Sequence, residues 1–326
     1  MTVLVTGAAG FIGFHTSLAL LEAGRQVIGV DNLNDYYDVA LKQARLDILK
    51  AHDGFTFERL DIADRGAMQA LVKNHPGITR IVHMAAQPGV RYSLINPHAY
   101  THSNVEGHLV LLEAARGLEN LNHFVYASSS SVYGGSDKVP FSTDDPTDTP
   151  VSLYAATKKS MEMMSHAYAH LFRLPLTGLR FFTVYGPWGR PDMAYYIFAN
   201  KILAGEPIPV FNNGEMRRDF TYIDDIVAGV LACLDKPPVD DGTTPPNRIY
   251  NIGNNRCENL TDFIAVIEEA LDKKAIIDFQ PMQPGDVRET FADIDSSRRD
   301  FGFEPKTGIK EGIARFVDWY REYHGV

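Results

Sequence analysis

A glycine-rich turn near the N-terminus, TGAAGFIG at positions 6–13, constrains the fold more than any other feature of the sequence. An apolar run precedes this turn and an amphipathic stretch follows it. Gly7 permits a tight turn, Gly10 lets a pyrophosphate approach the backbone, and Gly13 lets the following helix pack closely. A strand, such a turn and a helix in that order predict a βαβ unit whose helix N-terminus binds dinucleotide phosphates.

Short β-rich runs alternate with longer amphipathic stretches through the first half of the chain. The predicted strands are 3–6, 26–30, 55–59, 80–83, 123–127 and 176–180, and the predicted helices are 16–23, 67–75, 102–116 and 154–172. The strands are apolar on both faces, which is typical of a parallel sheet covered by helices on both sides. The predicted fold is therefore α/β, with a Rossmann-type doubly wound parallel sheet.

The pattern changes after residue 180, where proline and glycine become frequent, although 220–234 and 260–271 still have helical patterns. The proline-containing segment 235–247 predicts an exposed loop. We expect residues 1–180 to bind the cofactor, with part of 219–252 returning to that domain. Residues 181–326 are expected to form mainly a smaller α/β lobe that binds the substrate.

Asp31 identifies the dinucleotide that the glycine turn is expected to bind. It ends the second predicted strand, about 20 residues after the turn, where a carboxylate can accept hydrogen bonds from a ribose diol. A 2′-phosphate would be repelled, and the adjacent Asn32 and Leu33 supply no cation, so NAD is favoured over NADP. Asp61 and Ile62 follow the third strand and are candidates to contact the adenine; an N-cap at Asp61 is the alternative.

Charge and composition exclude several classes of function. The net charge of −10 opposes binding to nucleic acids and anionic membranes, so an anionic substrate requires local arginines. The N-terminus has no signal-peptide pattern, and no apolar run reaches the roughly 20 residues of a membrane span, which predicts a cytoplasmic protein. Cys233 and Cys257 are expected to be buried reduced thiols, with a disulfide as the alternative. The 11 histidines show no metal-ligand spacing, so no metal is expected.

Tyr154 and Lys158 lie four residues apart on a predicted helix, so their side chains share one face. A phenol titrates near 10, and a nearby ammonium together with an oxidised nicotinamide would lower its pKa by favouring the phenolate. Four serines, 128–131, follow a predicted strand at the sheet edge where ligands bind in such folds. Each pattern alone is common, but together with the glycine turn they indicate hydride-transfer chemistry.

The chain resembles the extended short-chain dehydrogenase/reductase family. The residues that carry this resemblance are Gly7, Gly10, Gly13, Asp31, Ser129, Tyr154 and Lys158. Within that family the chain is similar from end to end to the UDP-glucuronate 4-epimerases. The similarity is most specific in four strings, DNLNDYYD at 31–38, ASSSSVYG at 127–134, RFFTVYGPWGRPDM at 180–193 and RDFTYIDD at 218–225.

The resemblance implies that hydride passes from sugar C4 to NAD⁺ while Tyr154 takes the 4-hydroxyl proton, assisted by Ser129 and Lys158. The 4-keto sugar then rotates and receives the hydride on its opposite face. Related dehydratases and decarboxylases carry an acid beside the catalytic serine or threonine, whereas this chain has serines there, which favours epimerisation. The implied NAD-binding residues are Gly7, Gly10, Phe11, Ile12, Gly13, Asp31, Asn32, Asp61, Ile62, Ala85, Ala86, Tyr154, Lys158 and Phe181.

The resemblance also implies a site for the sugar carboxylate. Ser130, Ser131 and Thr183 would fix the carboxylate and so suppress loss of CO₂ from the β-keto acid. A structural role at the end of a strand is the alternative for Thr183. Gln87 and Arg91 are expected to border the sugar, together with Ser129, but the family often has alanine where this chain has Pro88.

For the nucleotide, the resemblance implies that Arg218 binds the diphosphate. Arg190 is expected to contact the carboxylate or gate the site, and Arg288 to reach the diphosphate; a solvated side chain is the alternative for both. Phe211 is expected to contact the uracil ring, with core packing as the alternative.

The expected reaction is the interconversion of UDP-glucuronate and UDP-galacturonate. The alternatives are 4-epimerisation of a neutral or N-acetylated UDP-sugar, a uronate decarboxylase or sugar dehydratase, and a non-catalytic NAD-binding regulator. The resemblance implies a homodimer in which helix 102–116 and the helix bearing Tyr154 form a four-helix bundle with their partners. Apolar residues on these helices, such as Leu109 and Met163, fit an intrachain core equally well.

Overall fold

The computed structural model describes residues 1–136, 138–283 and 285–326. The strands are β1 Thr2–Thr6, β2 Gln26–Asp31, β3 Phe55–Arg59, β4 Ile78–His83, β5 His123–Ser129, β6 Leu176–Phe181, β7 Thr183–Tyr185, β8 Pro207–Phe211, β9 Arg217–Arg218, β10 Phe220–Tyr222, β11 Asn247–Ile252, β12 Glu258–Asn259 and β13 Ile276–Gln280. The helices are α1 Phe11–Glu22, α2 Val39–Lys50, α3 Arg65–Asn74, α4 Tyr92–Ile95, α5 Pro97–Tyr100, α6 Gly107–Arg116, α7 Leu153–Phe172, α8 Ala194–Ala204, α9 Ile223–Leu234, α10 Leu260–Leu271, α11 Asp295–Phe301 and α12 Ile309–His324.

The centre of the molecule is a seven-stranded parallel sheet in the order β11-β6-β5-β4-β1-β2-β3, which confirms the predicted Rossmann-type fold. All six predicted strands are present, with small shifts at their ends. Strand order reverses at β1, because Thr6 pairs with Val30 of β2 on one side and with His83 of β4 on the other. At such a switch point a crevice opens beyond the carboxyl ends of the strands, and ligands bind there.

The helices differ from the prediction in ways that have physical causes. The first helix begins at Phe11, immediately after the glycine turn, because Gly10 provides its N-cap. The helix predicted over 102–116 consists of a π-helical segment, Thr101–Glu106, followed by α6. The prediction missed α2 because Lys42 and Arg45 lie on its buried face and interrupt the apolar periodicity.

The chain after β6 adds small paired strands and an aromatic core. The two-stranded pairs are β7–β10, β8–β13 and β9–β12, while β11 joins the central sheet beside β6. Helices α8, α10 and α12 enclose aromatic side chains, with ring centroids of Tyr195 and Phe316 4.8 Å apart and those of Phe220 and Phe263 3.8 Å apart. The helix expected over 220–234 begins as β10 and continues as α9, whereas α10 has the predicted bounds.

The loop predicted over 235–247 extends over 235–246, because Asn247 begins β11, and its first residue is anchored to the body of the protein. Asp235 forms ion pairs with Arg25 and Arg80, each at 2.6 Å. Both cysteines are free thiols, but only Cys233 is buried, whereas Cys257 is half-buried. No helix in the described ranges is long and apolar enough to cross a membrane.

A buried ion pair links α7 to β6 and generates a prediction about stability. Arg180 donates to both carboxylate oxygens of Glu162 at 2.8 and 2.9 Å. Replacing Glu162 with Gln leaves a buried guanidinium without its counter-ion, so we expect urea denaturation to show a loss of about 3–5 kcal/mol. Lys274→Met, which removes an exposed ion pair with Glu268, is the matched control and should cost under about 1 kcal/mol. Equal effects of the two changes would contradict the prediction.

Candidate active site

A cleft opens at the carboxyl edge of the central sheet, at the switch point between β1 and β4. It brings together the fourteen residues that the sequence assigns to NAD, and Ser129 and Arg190 line it as well. The further lining residues, which the sequence prediction missed, are Asn34, Tyr36, Tyr37, Lys42, Leu60, Met84, Pro88, Ser103, Ala127, Ser128, Phe182, Val184 and Met193.

The glycine turn is shaped by close backbone contacts. Gly7 has a positive φ of 72° and donates its amide to Val30 O at 2.7 Å. A Cβ at Gly13 would lie 2.0 Å from Gly7 O, and one at Gly7 would lie 2.6 Å from the amide nitrogen of Ala85. Side chains at these positions would displace backbone, so the turn keeps the first amides of α1 open toward the cleft.

Asp31 is held at the end of β2 by two amides. Its Oδ2 accepts from Ala9 N at 3.1 Å and its Oδ1 from Leu33 N at 2.8 Å. Burial raises the pKa of this carboxyl, and the Leu33 amide and the Lys42 ammonium partly offset that shift. Lys42 places a cation near Asp31, which the adjacent residues Asn32 and Leu33 did not indicate. Its Nζ donates to Asn34 O and Oδ1 at 2.6 and 2.8 Å.

Asp61 does not cap α3, so the alternative interpretation of this residue was wrong. Asp64 is the N-cap and accepts from Ala67 N at 3.0 Å. Asp61 instead accepts from Ala63 N at 2.9 Å and from Asn32 Nδ2 at 3.1 Å. These contacts fix both residues in the wall of the cleft.

One face of α7 supplies the predicted catalytic side chains. Ser152 caps the helix, and Tyr154 lies in its first turn and lines the cleft together with Ser129. Lys158 is buried and donates its Nζ to Ala127 O at 2.8 Å. The structure therefore places Ser129, Tyr154 and Lys158 at one point of the cleft, where the sheet edge meets α7.

Burial dominates the ionisation of this group. It lowers the pKa of Lys158 to about 7 and raises the pKa of Tyr154, although Ser129 and the Arg190 charge act in the opposite direction on the phenol. Burial disfavours the charged form of each group. The expected lowering of the Tyr154 pKa by Lys158 and an oxidised nicotinamide together stays a prediction about the NAD complex.

A buried network behind the serines was not predicted. Ser128 Oγ donates to Glu162 Oε1 at 2.7 Å, and the same carboxylate is paired with Arg180. Glu162 follows Lys158 by four residues, so the helix face that carries Tyr154 and Lys158 also anchors the strand end. This spacing was the signal in the sequence that could have identified Glu162.

Arg190 lines the cleft and is paired with a carboxylate, so it is not solvated. Its guanidinium contacts both oxygens of Asp192 at 2.9 and 2.6 Å, and Tyr36 donates to Asp192 Oδ2 at 3.0 Å. Burial opposes ionisation of Asp192, but Arg190 and Tyr36 outweigh it, so the pKa of this carboxyl is lowered. Thr183 begins β7, where its amide donates to Asp219 O at 3.1 Å.

Three further predicted substrate residues do not line the cleft but lie near one another. The Arg91 guanidinium lies 4.3 Å from the centre of the Phe211 ring and pairs with Asp286 at 3.0 Å. Phe211 is half-buried and packs against the hydrophobic core, as its alternative interpretation expected, and Arg91 covers one face of its ring. Arg218 donates to Val287 O at 2.5 Å, and burial lowers the pKa of its guanidinium.

The remaining predicted residues do not line the cleft. Arg288 is exposed and lies 3.5 Å from Glu215, as its alternative interpretation expected. Gln87 is buried, and its backbone amide donates to Asn104 Oδ1 at 2.7 Å. Ser130 and Ser131 form the short turn after β5, in which Ser129 Oγ accepts from Ser131 N at 3.2 Å. Among the described residues, no group of three or more potential metal ligands is present.

Comparisons with known proteins identify the family. A sequence profile of the NAD-dependent epimerase/dehydratase family matches residues 3–253. The chain belongs to this family. UDP-glucuronate 4-epimerase 2 of Arabidopsis thaliana is 47% identical over 99% of this chain and 76% of its own, and a probable UDP-glucuronate 4-epimerase of Rhizobium meliloti is 44% identical over 98% and 97%.

Solved structures of this family have the same fold. UDP-glucuronic acid 4-epimerase from Bacillus cereus, in complex with UDP-glucuronic acid and NAD, superimposes with a TM-score of 0.91 at 34% identity over 99% of this chain and 100% of that one. UDP-glucose 4-epimerase from Thermotoga maritima, with UDP-glucose, gives 0.88 at 31% identity over 99% and 100%. The epimerase/dehydratase fold therefore covers essentially the whole chain.

The lowered pKa of Lys158 makes the stability of this family member depend on pH. The folded value of about 7 lies below the unfolded value of 10.5, so between them the unfolded chain binds more protons and unfolding becomes less favourable as pH rises. In the NAD-free protein, the free energy of unfolding relative to Lys158→Met should rise by about 1–2 kcal/mol between pH 7.5 and 9, measured by urea denaturation. A difference that stays constant over this range would refute the assignment.

Proposed function

We propose that this chain is an NAD-dependent UDP-glucuronate 4-epimerase. The observation that carries the proposal is the meeting of Ser129, Tyr154 and Lys158 in the cleft that also holds the glycine turn and Asp31. Its relatives named as UDP-glucuronate 4-epimerases are 44–47% identical over nearly the whole chain. The division into a cofactor domain over 1–180, with part of 219–252, and a substrate lobe over 181–326 is part of the same proposal.

The residues fit a dinucleotide cofactor. Gly7 and Gly13 leave a cradle that any Cβ would fill, and Asp31 lies at the expected end of β2. Bound NAD supplies a nicotinamide that can accept hydride from sugar C4 and return it. Tyr154 takes the proton of the 4-hydroxyl as the ketone forms and gives it back when the hydride returns, so atoms and electrons balance over one turnover. Ser129 shares the hydrogen bond of that hydroxyl, and Lys158 supports the charge on the phenolate.

The acids in the cleft favour epimerisation over elimination. Within the described ranges, Asp31 and Asp61 are the carboxylates that line the cleft. Asp31 ends β2 and Asp61 follows β3, and both strands are separated from β5 in the sheet by β4 and β1. Glu162, the acid closest in sequence to the catalytic pair, is buried and held by Arg180 and Ser128. A 4-keto sugar beside Tyr154 therefore meets hydroxyl groups, and rotation followed by hydride return is the path that remains.

A carboxylate cradle is proposed at the serine turn. Ser130 and Ser131 supply hydroxyl groups in the turn that follows Ser129, Thr183 supplies one at the start of β7, and Ser129 and Arg190 line the cleft itself. In the described parts of the chain, the Thr183 hydroxyl has no hydrogen-bond partner and is half-exposed, which leaves it available to a ligand. Phe211 and Arg218 are proposed to contact the nucleotide, and Gln87 and Arg91 to border the sugar.

We further propose a homodimer that works in the cytoplasm. The helix that bears Tyr154 exposes Met163, Leu171 and Phe172 with 63%, 65% and 40% of their surface accessible, whereas Leu109 on α6 is half-buried. An apolar row of this kind on a long helix supports packing against a second copy. The expectation that Met163 could lie in the intrachain core is wrong.

The reaction is tested by incubating the purified protein with UDP-glucuronate, without added reductant, and separating the products by chromatography. The proposal predicts UDP-galacturonate with no change in total nucleotide sugar. Tyr154→Phe should lower turnover at least about a hundredfold, because it removes the general acid–base, while NAD binding is retained. Turnover of only UDP-glucose or a UDP-N-acetylhexosamine would keep the mechanism and overturn the choice of sugar, and bound NAD without any turnover would favour a regulator.

The cradle is tested by Thr183→Val, which removes one hydroxyl at nearly constant volume. We expect the KM for UDP-glucuronate to rise several-fold and the share of UDP-pentose among the products to increase, because a freer carboxylate reaches the orientation that loses CO₂. Thr183→Ser keeps the hydroxyl and is the control, with product ratios close to those of the unaltered protein. If Thr183→Val changes neither KM nor the pentose share, Thr183 does not hold the carboxylate.

A further inference from the structure

Arg45 is a fully buried side chain on α2 that joins two loops of the cleft. Its Nη1 donates to Ala9 O at 2.8 Å, and its Nη2 donates to Trp188 O at 2.5 Å and to Gly189 O at 3.2 Å. Ala9 belongs to the glycine turn, and Trp188 and Gly189 belong to the loop that carries Arg190. A single guanidinium therefore connects the cofactor turn to the loop of the substrate site.

The charge of Arg45 is not balanced by a paired acid. No ion pair within 4.0 Å among residues 1–136, 138–283 and 285–326 includes Arg45, and its Nε has no hydrogen-bond partner there. Its acceptors are carbonyl oxygens and the hydroxyl of Tyr37, at 2.8 Å. A buried charge without a counter-ion costs several kcal/mol, so an anion that binds nearby stabilises it.

A second buried cation strengthens this imbalance. Lys42 precedes Arg45 by three residues on the same face of α2 and lines the cleft. Burial lowers the pKa of Lys42, Asp31 and Asp35 oppose the shift, and Arg45 reinforces it. Ala9 lies between Arg45 and Asp31, because its oxygen accepts from Arg45 and its nitrogen donates to Asp31.

The loop on the other side depends on Arg45 for its conformation. Trp188 has a φ of +59°, a left-handed conformation that is costly for a bulky residue and persists only where its surroundings hold it. Two hydrogen bonds from Arg45 hold the carbonyls of Trp188 and Gly189, and His15 Nε2 contacts the preceding Pro187 O at 3.0 Å. Arg190 follows directly, so its position in the cleft is set by this segment.

We propose that Arg45 is a positioning residue that provides counter-charge for a nucleoside diphosphate on the glycine turn and aligns the Arg190 loop with that turn. The proposal rests on the proposed NAD site. Diphosphate bound at the turn compensates the buried guanidinium, so occupation of the cofactor site also favours the loop geometry that the substrate needs. Arg45 contacts neither ligand directly and acts through Ala9, Trp188 and Gly189.

The charge is tested by calorimetric titration of the protein, freed of NAD, with ADP, NAD and adenosine. Arg45→Met should weaken ADP and NAD at least about tenfold and leave adenosine unchanged, because only the first two carry diphosphate. Arg25→Met is the control. Arg25 precedes β2, at the end of that strand that lies away from the cleft, so its removal should change none of the three affinities. Unchanged ADP affinity in Arg45→Met would overturn the proposal.

The alignment is tested by Arg45→Lys, which restores the charge but not the planar fork. ADP affinity should return to within about threefold of the unaltered protein, whereas the KM for UDP-glucuronate should stay raised about fivefold or more with kcat little changed. A variant with both values normal, or with both equally impaired, contradicts a double role for Arg45.

Amide hydrogen exchange of the unaltered protein provides a test that needs no variant to fold. Saturation with ADP should slow exchange in 186–189 if the turn and the loop are linked, and unchanged exchange there would overturn the link. Failure of the unaltered protein to bind either ADP or NAD would refute the proposed function itself. Normal binding combined with no effect at Arg45 would refute this inference alone.

Discussion

The site depends on how α7 docks against the carboxyl end of β5. Tyr154, Lys158 and Glu162 occupy one helix face at intervals of four residues. Lys158 and Glu162 hydrogen-bond the Ala127 carbonyl and Ser128, and Tyr154 lines the cleft together with Ser129. A shift of the helix by one turn, about 5.4 Å, would break both hydrogen bonds together. The buried pair of Glu162 with Arg180 prevents such a shift, because Arg180 belongs to β6 and pairs in register with Ser128.

Burial sets the chemistry of this docking as well as its geometry. It disfavours the phenolate of Tyr154 and the ammonium of Lys158 at once, so it raises the pKa of one group and lowers that of the other. Sequence spacing predicts that the lysine and the tyrosine share one helix face, but it contains no information about desolvation. An oxidised nicotinamide bound in the cleft would add a positive charge there and favour the phenolate.

Local patterns predicted much of the fold and of the cofactor site. The six strands and the glycine turn are continuous in sequence, and the residues assigned to NAD line one cleft because parallel strands end at one sheet edge. Part of what the prediction missed has no local signature. Helix α2 has charged residues on its buried face, and the contact between Tyr36 and Asp192 joins positions 156 residues apart. Such contacts become visible only when the chain is folded.

The arginines show how a protein with a net charge of −10 can accept anionic ligands. Arg190 and Arg91 are paired with Asp192 and Asp286, so a ligand carboxylate or phosphate must compete with a carboxylate of the protein. Arg218 and Arg45 are held by carbonyl oxygens, which orient the guanidinium without cancelling its charge. Arg218 and Arg45 therefore keep a net attraction for anions inside an acidic protein. The paired arginines favour a ligand that replaces one carboxylate by another, which matches a uronate better than a neutral sugar.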